Sequence, residues 1–235
     1  MSVSWVYTIP GWLTPHEGAF LLKAAGCQNS LPGEVVEIGS YEGKSTIFLA
    51  QGSVHVTAID PHKGNVSGGV LAPTYGNFRK NISRAGVSKK ITALVTTSKT
   101  AAKMWKKPIK LLFIDGLHDE PHASEDYLVW SKFVTKGGIV AMHDAFCGWA
   151  GARNVAMRHI VRSDAYSEIG VVGSIVYGVK GTATGLKRVT KIFRKYTIEL
   201  CQRIYYTDRI PKWIRYVLVH KIFRILLFNR FSSFR

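Results

Sequence analysis

Acidic residues are scarce in this chain: fifteen Asp and Glu stand against 32 Lys and Arg, a formal net charge of +17. How that charge is distributed matters more than its total. Cysteine is scarcer still. Cys27, Cys147 and Cys201 are odd in number and irregular in spacing, which excludes a disulfide framework and a thiolate zinc motif as organising devices. A reducing, cytoplasmic compartment follows as the expectation. No uncharged apolar run is long enough to span a bilayer. The opening MSVSWVYTIPGWLTPHEG lacks the basic stretch, continuous apolar segment and small-residue cleavage site of an export signal, so no export is expected. Repeats and low-complexity blocks are missing as well. The 235 residues are 46% hydrophobic, enough for one good core with a small appendage beside it, and too apolar for disorder.

The charge is unevenly placed. Residues 181–235 hold 13 Lys and Arg against two acids, a net +11, leaving +6 for the first 180. From about residue 34 to 180, short apolar runs alternate with longer amphipathic stretches. That is the rhythm of an α/β fold with a doubly wound, mostly parallel sheet covered on both faces. Strands are expected over 34–38, 54–59, 91–95, 111–114, 138–142 and 174–179, and helices over 44–51, 75–85, 100–105, 124–133 and 152–162. Ahead of them, Thr14-Pro15-His16-Glu17 has a capping hydroxyl, a proline at the first helical position and an acid three residues after the cap. It predicts a helix to about residue 25. The glycine-containing stretch 178–185 divides the chain into a domain over 1–180 and a basic helical extension over 181–235.

The first expected strand runs into E-I-G-S-Y-E-G-K-S-T, with glycines where the backbone must turn tightly and approach a ligand. In open α/β sheets ligands bind beyond the carboxyl ends of the strands. A second such end, Ile59-Asp60-Pro61, would aim a carboxylate at the same crevice, where it could take two ribose hydroxyls. The spacing is not the G-x-G-x-x-G of a dinucleotide fold. It is Glu37-x-Gly39-x-x-x-Gly43, and an acid before the turn suits a cationic or hydroxyl-bearing ligand better than a diphosphate.

On these residues the chain resembles a class I S-adenosylmethionine (SAM) dependent methyltransferase, whose first motif is E-x-G-x-x-x-G and whose second strand ends in an acid. The resemblance implies a cofactor site of Glu37, Gly39, Ser40, Tyr41, Gly43, Ser45, Asp60, Ser98 and Asp115. Gly39 and Gly43 would line the methionine part of SAM, and Asp60 would hold its ribose. Ser98 would stand at the adenine edge; read alone, it is equally an ordinary helix cap.

Two further strand ends carry chemistry. F-I-D-G-L-H-D-E and A-M-H-D-A-F bring Asp115, His118, His143 and Asp144 to the same carboxyl edge, where burial demands hydrogen bonds or a metal. In one chemistry Asp115, His143 and Asp144 hold a divalent ion that lowers the pKa of a substrate hydroxyl, and His118 removes its proton. In the other there is no metal; a histidine is the base and the carboxylates orient it. Both end on an oxygen acceptor. D-G-x-H with a later helical acid, Asp126, and G-G-x-x-x-x-H-D, 137–144, resemble a branch of metal-dependent sugar and small-molecule O-methyltransferases over roughly residues 12–180. That branch implies Asp115 and Asp144 as metal ligands and His118 as general base. His143 replaces a glutamate found in other members, which favours an ion softer than magnesium or none.

Other polar residues read more plainly. His122, Glu125 and Asp126 suit a solvated helix face, and His62 and Lys63 a surface loop. Residues 61–75, rich in glycine, would form a lid, and Trp149 either an aromatic platform for an acceptor sugar or core packing. In the tail, Val189, Ile192, Phe193, Tyr196, Leu200 and Ile204 recur at helical spacing, as do Ile214, Leu218, Ile222, Ile225 and Leu226. Such basic amphipathic helices over 186–228 would lie on an anionic membrane surface, cover the core or build a homo-oligomer. Nucleic acid fits the charge, without any familiar binding motif. The expected function is O-methylation of a sugar, glycolipid or other small-molecule hydroxyl, with an RNA methyltransferase, a non-catalytic membrane or partner tether and a nicotinamide oxidoreductase as rivals.

Overall fold

Alternation along the strands builds both faces of a single sheet. The computed structural model describes residues 4–53, 55–64 and 72–219. Within β4 (Ile109–Ile114), Leu111 and Phe113 enter one apolar cluster and Leu112 and Ile114 the other, all buried. A strand apolar on both sides must be covered on both sides. The first cover comprises α1 (Pro15–Cys27), α2 (Lys44–Gly52) and α3 (Tyr75–Arg84). The second comprises α4 (Ser98–Met104), α5 (Glu120–Trp130), α6 (Ala150–Ala156, continued by a π-helical turn to Val161) and α7 (Gly185–Tyr206).

The remaining strands are β1 (Glu34–Ile38), β2 (Val56–Ile59), β3 (Ile91–Leu94), β5 (Val134–Met142), β6 (Tyr166–Val172) and β7 (Ile175–Lys180). They lie in the order β3-β2-β1-β4-β5-β7-β6, the first five parallel and β7 antiparallel to both neighbours. The strand order reverses between β1 and β4, and there the helices part to leave a crevice. Register decides what lies in it. Ile38 is level with Ile59 and with Ile114, and Ile114 with Met142. Gly39, Asp60, Asp115 and His143 are thus each the first residue past a strand, along one edge.

The expected doubly wound sheet is present, with differences that have local causes. β6 is an additional strand. It pairs with β7 through a hairpin turn at Gly173-Ser174, with Gly173 at φ +60°, a two-residue glycine turn of the kind that joins antiparallel strands. β5 begins at Val134, before its glycines, and α5 begins at Glu120 because Asp119 caps it, its side chain accepting from the amide of His122. The capping box at Thr14 is formed as expected: Glu17 Oε2 accepts from the Thr14 amide at 2.8 Å. Past residues 181–184, α7 returns onto β6, burying Ile198 and Cys201 in the core, and α8 (Lys212–Val217) follows. The expected lid falls partly at 65–71, and Ile222, Ile225 and Leu226 of the second apolar stripe lie at 222–226. Both stretches are outside the described residues.

α1 and α2 cross closely at Gly52, where an added Cβ would lie 2.1 Å from the Leu22 carbonyl oxygen. Gly→Ala normally favours a helix by about 1 kcal/mol. Here overpacking reverses the sign, and Gly52→Ala is expected to destabilise the protein by roughly 1–3 kcal/mol, measured by urea unfolding.

Candidate active site

The crevice opens into a cavity of about 650 Å³, within the range of small-molecule sites. Its wall includes Gly39, Ser40, Tyr41, Ser45, Asp60, Ser98, Asp115, His118, His143 and Asp144, so the fold brings most of the expected site residues together. Gly39 is required by the architecture itself. It sits at φ +86°, and an added Cβ would lie 2.0 Å from the Asp115 carbonyl oxygen.

Asp60 ties together the loops that follow β1 and β2. Its Oδ2 accepts from the Tyr41 amide at 2.8 Å and its Oδ1 from the His62 amide at 2.6 Å. Each oxygen retains further acceptor capacity, and Asp60 lines the cavity. Tyr41, His62, Asp144 and Cys147 have positive φ, from 44° to 55°. Non-glycine residues in that region cost roughly 1–2 kcal/mol each, and two of the four, Tyr41 and Asp144, line the cavity, as strain does where a site needs a fixed shape. The Ser40 hydroxyl is buried in the wall without a hydrogen-bond partner among the described residues, a group that a ligand would satisfy.

Glu37 and Gly43 stand behind the wall. Glu37 is wholly buried, takes a hydrogen bond from the Thr46 hydroxyl and does not line the cavity. Burial pushes its carboxyl up to about 8, the Ser45 and Thr46 hydroxyls opposing and the charges of Asp115 and Asp60 adding to the rise. At neutral pH it is therefore an uncharged acid that pins α2 to β1, where the sequence suggested a carboxylate facing the ligand.

Ser98 is not the cap of α4. Thr97 is, its side chain accepting from the Thr100 amide, which frees Ser98 to donate to Asp126 Oδ1 in the wall. Asp126 is thus buried in the site instead of on a solvated face, and burial raises its pKa to about 6. Its neighbours are more exposed, His122 paired with Asp119 and Glu125 with Lys99, and both still line the cavity. His62 is no surface residue. Its ring is buried against Tyr75 and Phe78, and its Nδ1 lies 2.9 Å from the Thr74 hydroxyl.

Two groups were not singled out in the sequence. Lys44 lines the cavity at the start of α2, its Nζ donating to the Gly11 carbonyl at 2.7 Å. That bond holds an arm of Pro10, Gly11, Trp12 and Leu13 over the cavity. Only contact across 33 residues reveals the pair, so no local pattern announces it.

On the other side, Asp115, His118, His143 and Asp144 each offer a donor atom within 4.8 Å of one another. His143 Nδ1 is 3.2 Å from Asp115 Oδ1 and 3.5 Å from Asp144 Oδ2, and His118 Nε2 is 3.6 and 3.3 Å from the same two oxygens. Among the described residues neither ring finds an aligned hydrogen-bond partner, although the nitrogens of both are sheltered from solvent. Burial alone would lower the His143 pKa, but Asp115, Asp144 and Glu17 around the ring raise it well above the ordinary value. Burial would raise the pKa of Asp115, and the two imidazoles outweigh it and hold it low. Glu17 braces the cluster from α1. Its Oε1 accepts from the amide and hydroxyl of Ser174, whose oxygen accepts from the Asp144 amide, and its Oε2 lies 3.6 Å from His143 Nε2. Trp149 is 55% exposed at the mouth and stacks on His118, centroids 5.8 Å apart and 13° between planes, so it is not core packing.

Glu37 provides a test of sign. Its folded pKa lies above the ordinary glutamate value of about 4.3, so the stability of the neutral acid is fully present below that value and is lost as pH rises toward 8. Glu37→Gln keeps the shape and cannot ionise. Urea unfolding should find it within about 1–2 kcal/mol of the parent at pH 5 and the more stable of the two at pH 8.5. Equal deficits at both pH values would show an ionised Glu37 in the folded protein.

With this geometry, similarity to known proteins has a clear meaning. Residues 36–145 match the family described as "Methyltransferase domain". The O-methyltransferase NovP has a similar structure, with TM-score 0.61 and 15% identity over 70% of this chain and 79% of that one. So has an O-methyltransferase from Bacillus cereus in complex with S-adenosylhomocysteine (SAH), with TM-score 0.56 and 20% identity over 76% and 87% of the two chains. A third is TomG from Streptomyces achromogenes, involved in tomaymycin synthesis and solved with SAM, with TM-score 0.56 and 18% identity over 76% and 88%. The structural likenesses speak for the fold, and the family match spans both the glycine loop and the Asp-His strand ends. Residues 36–145 thus carry a methyltransferase domain, and the fold is that of the class I SAM-dependent methyltransferases.

Proposed function

We propose that the protein is an O-methyltransferase that transfers the SAM methyl group to a hydroxyl of a sugar, glycolipid or other small molecule. One observation carries the reading: two carboxylates and two imidazoles converge within 4.8 Å in the same cavity wall as the Gly39 and Asp60 loops. Such a set is suited to deprotonating a hydroxyl. The similar O-methyltransferase structures support the same acceptor atom.

In this reading the free lone pairs of Asp60 take the ribose hydroxyls, Ser98 and Asp126 face the adenine edge, and the unpartnered Ser40 hydroxyl binds the amino-acid part. Lys44, beside the amino end of α2, offers positive charge to the ligand carboxylate. The donor cluster fits a divalent ion. Neighbouring ligands about 2.1 Å from one ion lie roughly 3.0–3.5 Å apart, close to the separations found, and mixed imidazole and carboxylate donors favour an ion softer than magnesium. SAM supplies an electrophilic methyl group and the ion a Lewis acid that lowers the hydroxyl pKa. Asp115, His143 and Asp144 hold that charge and orient the acceptor. His118, with 19% of its side chain exposed against 3% for His143, is the imidazole an acceptor can reach, and it takes the hydroxyl proton as the oxygen bonds to the methyl carbon and the carbon–sulfur bond breaks. Trp149, stacked on His118, gives the acceptor ring a flat apolar surface beside the base.

His118→Ala separates base from ligand. With SAH release as the readout over a panel of hydroxylated acceptors, turnover should fall about 10²–10⁴-fold, while calorimetry finds unchanged SAH affinity and unchanged Mn²⁺ stoichiometry. Loss of Mn²⁺ binding in this variant would make His118 a ligand. Retained turnover would remove it from the mechanism.

A further inference from the structure

α7 has two apolar faces, and the fold uses one. Its inner face buries Ile198 and Cys201 beside β6. Cations on that side are engaged within the molecule: Lys187 pairs with Glu168 at 2.8 Å, Lys191 donates to the Ser163 carbonyl at 2.8 Å, and Arg194 to the Ile169 carbonyl at 3.0 Å. The outer face carries Leu186, Val189, Phe193, Tyr196 and Leu200, each between 48% and 77% exposed. Steps of three and four residues set these five on one stripe. Trp213 and Tyr216 extend the exposed apolar surface onto α8. Scattered apolar residues on a surface are ordinary; a stripe four turns long marks an interaction.

The charges beside the stripe select its occupant. By helical position Arg188, Lys195 and Arg203 follow one flank, and their side chains have no ion-pair partner among the described residues. Arg209, between α7 and α8, and Lys212, the first residue of α8, stand exposed, within a stretch that carries a net +11. A second copy docked through the same face would bring like charges together. An anionic bilayer satisfies both halves of the surface at once, with apolar side chains among the acyl chains and cations at the phosphates. We infer that the outer face of α7 is a docking surface for anionic lipid membrane, with the helix lying in the plane of the interface. No described helix is long and apolar enough to cross a membrane. The docked helix is continuous with the site: the Tyr206 hydroxyl donates to the Gly148 carbonyl at 2.9 Å, and the Arg153 guanidinium lies 4.1 Å over the Tyr206 ring, next to Trp149.

Co-sedimentation of the full chain with phosphatidylcholine vesicles, with and without phosphatidylglycerol, tests this. Binding is expected only with the anionic lipid and should weaken as salt rises. Val189→Ser, Phe193→Ser and Leu200→Ser together should abolish it. Arg188→Gln, Lys195→Gln and Arg203→Gln together should weaken it roughly a hundredfold, about fivefold per cation. Circular dichroism melting checks that both variants fold. Absence of binding, or equal binding to both vesicles, overturns the proposal. So does a dimer in sedimentation equilibrium that the serine substitutions convert to monomer, because the stripe is then taken by a second copy. Single-stranded RNA binding that displaces vesicles and survives the serine substitutions overturns it as well.

Discussion

The site depends on how closely two strand ends approach at the point where the sheet reverses its order. The Asp115 amide donates to the Ile38 carbonyl at 2.8 Å, and the Gly39 amide donates to the Ile59 carbonyl at 2.9 Å. The Asp115 carbonyl occupies the space where a side chain on residue 39 would begin. With that approach fixed, register alone brings Asp60 beside the Tyr41 amide and Asp115 beside His143. The glycine-loop residues and the Asp-His residues then share one wall without any long loop to hold them. The ligand site is thus a consequence of parallel strand packing at a switch point.

A second constraint is electrostatic. Several acids and two imidazoles sit near the same edge, and the fold treats the acids differently. Glu37 is deep and has only hydroxyl partners, so burial keeps it neutral. Glu17 is also buried, yet His143 and Thr14 outweigh that burial and hold it down to about 2. Asp115 is kept low by His143 and His118. One helix cap thereby acts as a brace. The acid that closes the N-terminus of α1 also anchors the β6–β7 turn and the imidazole at the end of β5. α1 lies far from β5 in sequence, but together with the hairpin it braces His143.

The sheet and the site were legible in the sequence to different depths. Alternating runs located β1 to β5 and β7, because a buried strand between two helical layers has to be apolar on both sides. β6 escaped because Tyr166–Val172 contains Ser167, Glu168 and Gly170, which dilute the apolar run; the Gly173-Ser174 turn was its available signal. Asp60, Asp115, His118, His143 and Asp144 could be read because each follows directly on a strand, so position in the element implies position in the fold. Lys44 and the arm at 10–13 could not, since nothing local ties Gly11 to α2. Glu37 shows the converse. Its place in the motif was plain, but its direction, away from the cavity and toward Thr46, is a matter of packing. Asp126 was named by motif and otherwise resembled its solvent-facing neighbours, and only the Ser98 hydroxyl and the burial of its helix face distinguish it.

The central claim is that the cavity between the Gly39 loop and the Asp115–Asp144 edge is a SAM site. Isothermal titration of the full chain with SAH tests it most directly. The account predicts one SAH per chain with micromolar affinity, weakened at least tenfold by Asp60→Ala through loss of the ribose contacts, on the order of 1.4 kcal/mol or more. No binding of SAH at millimolar concentration, or binding that Asp60→Ala leaves untouched, would contradict it.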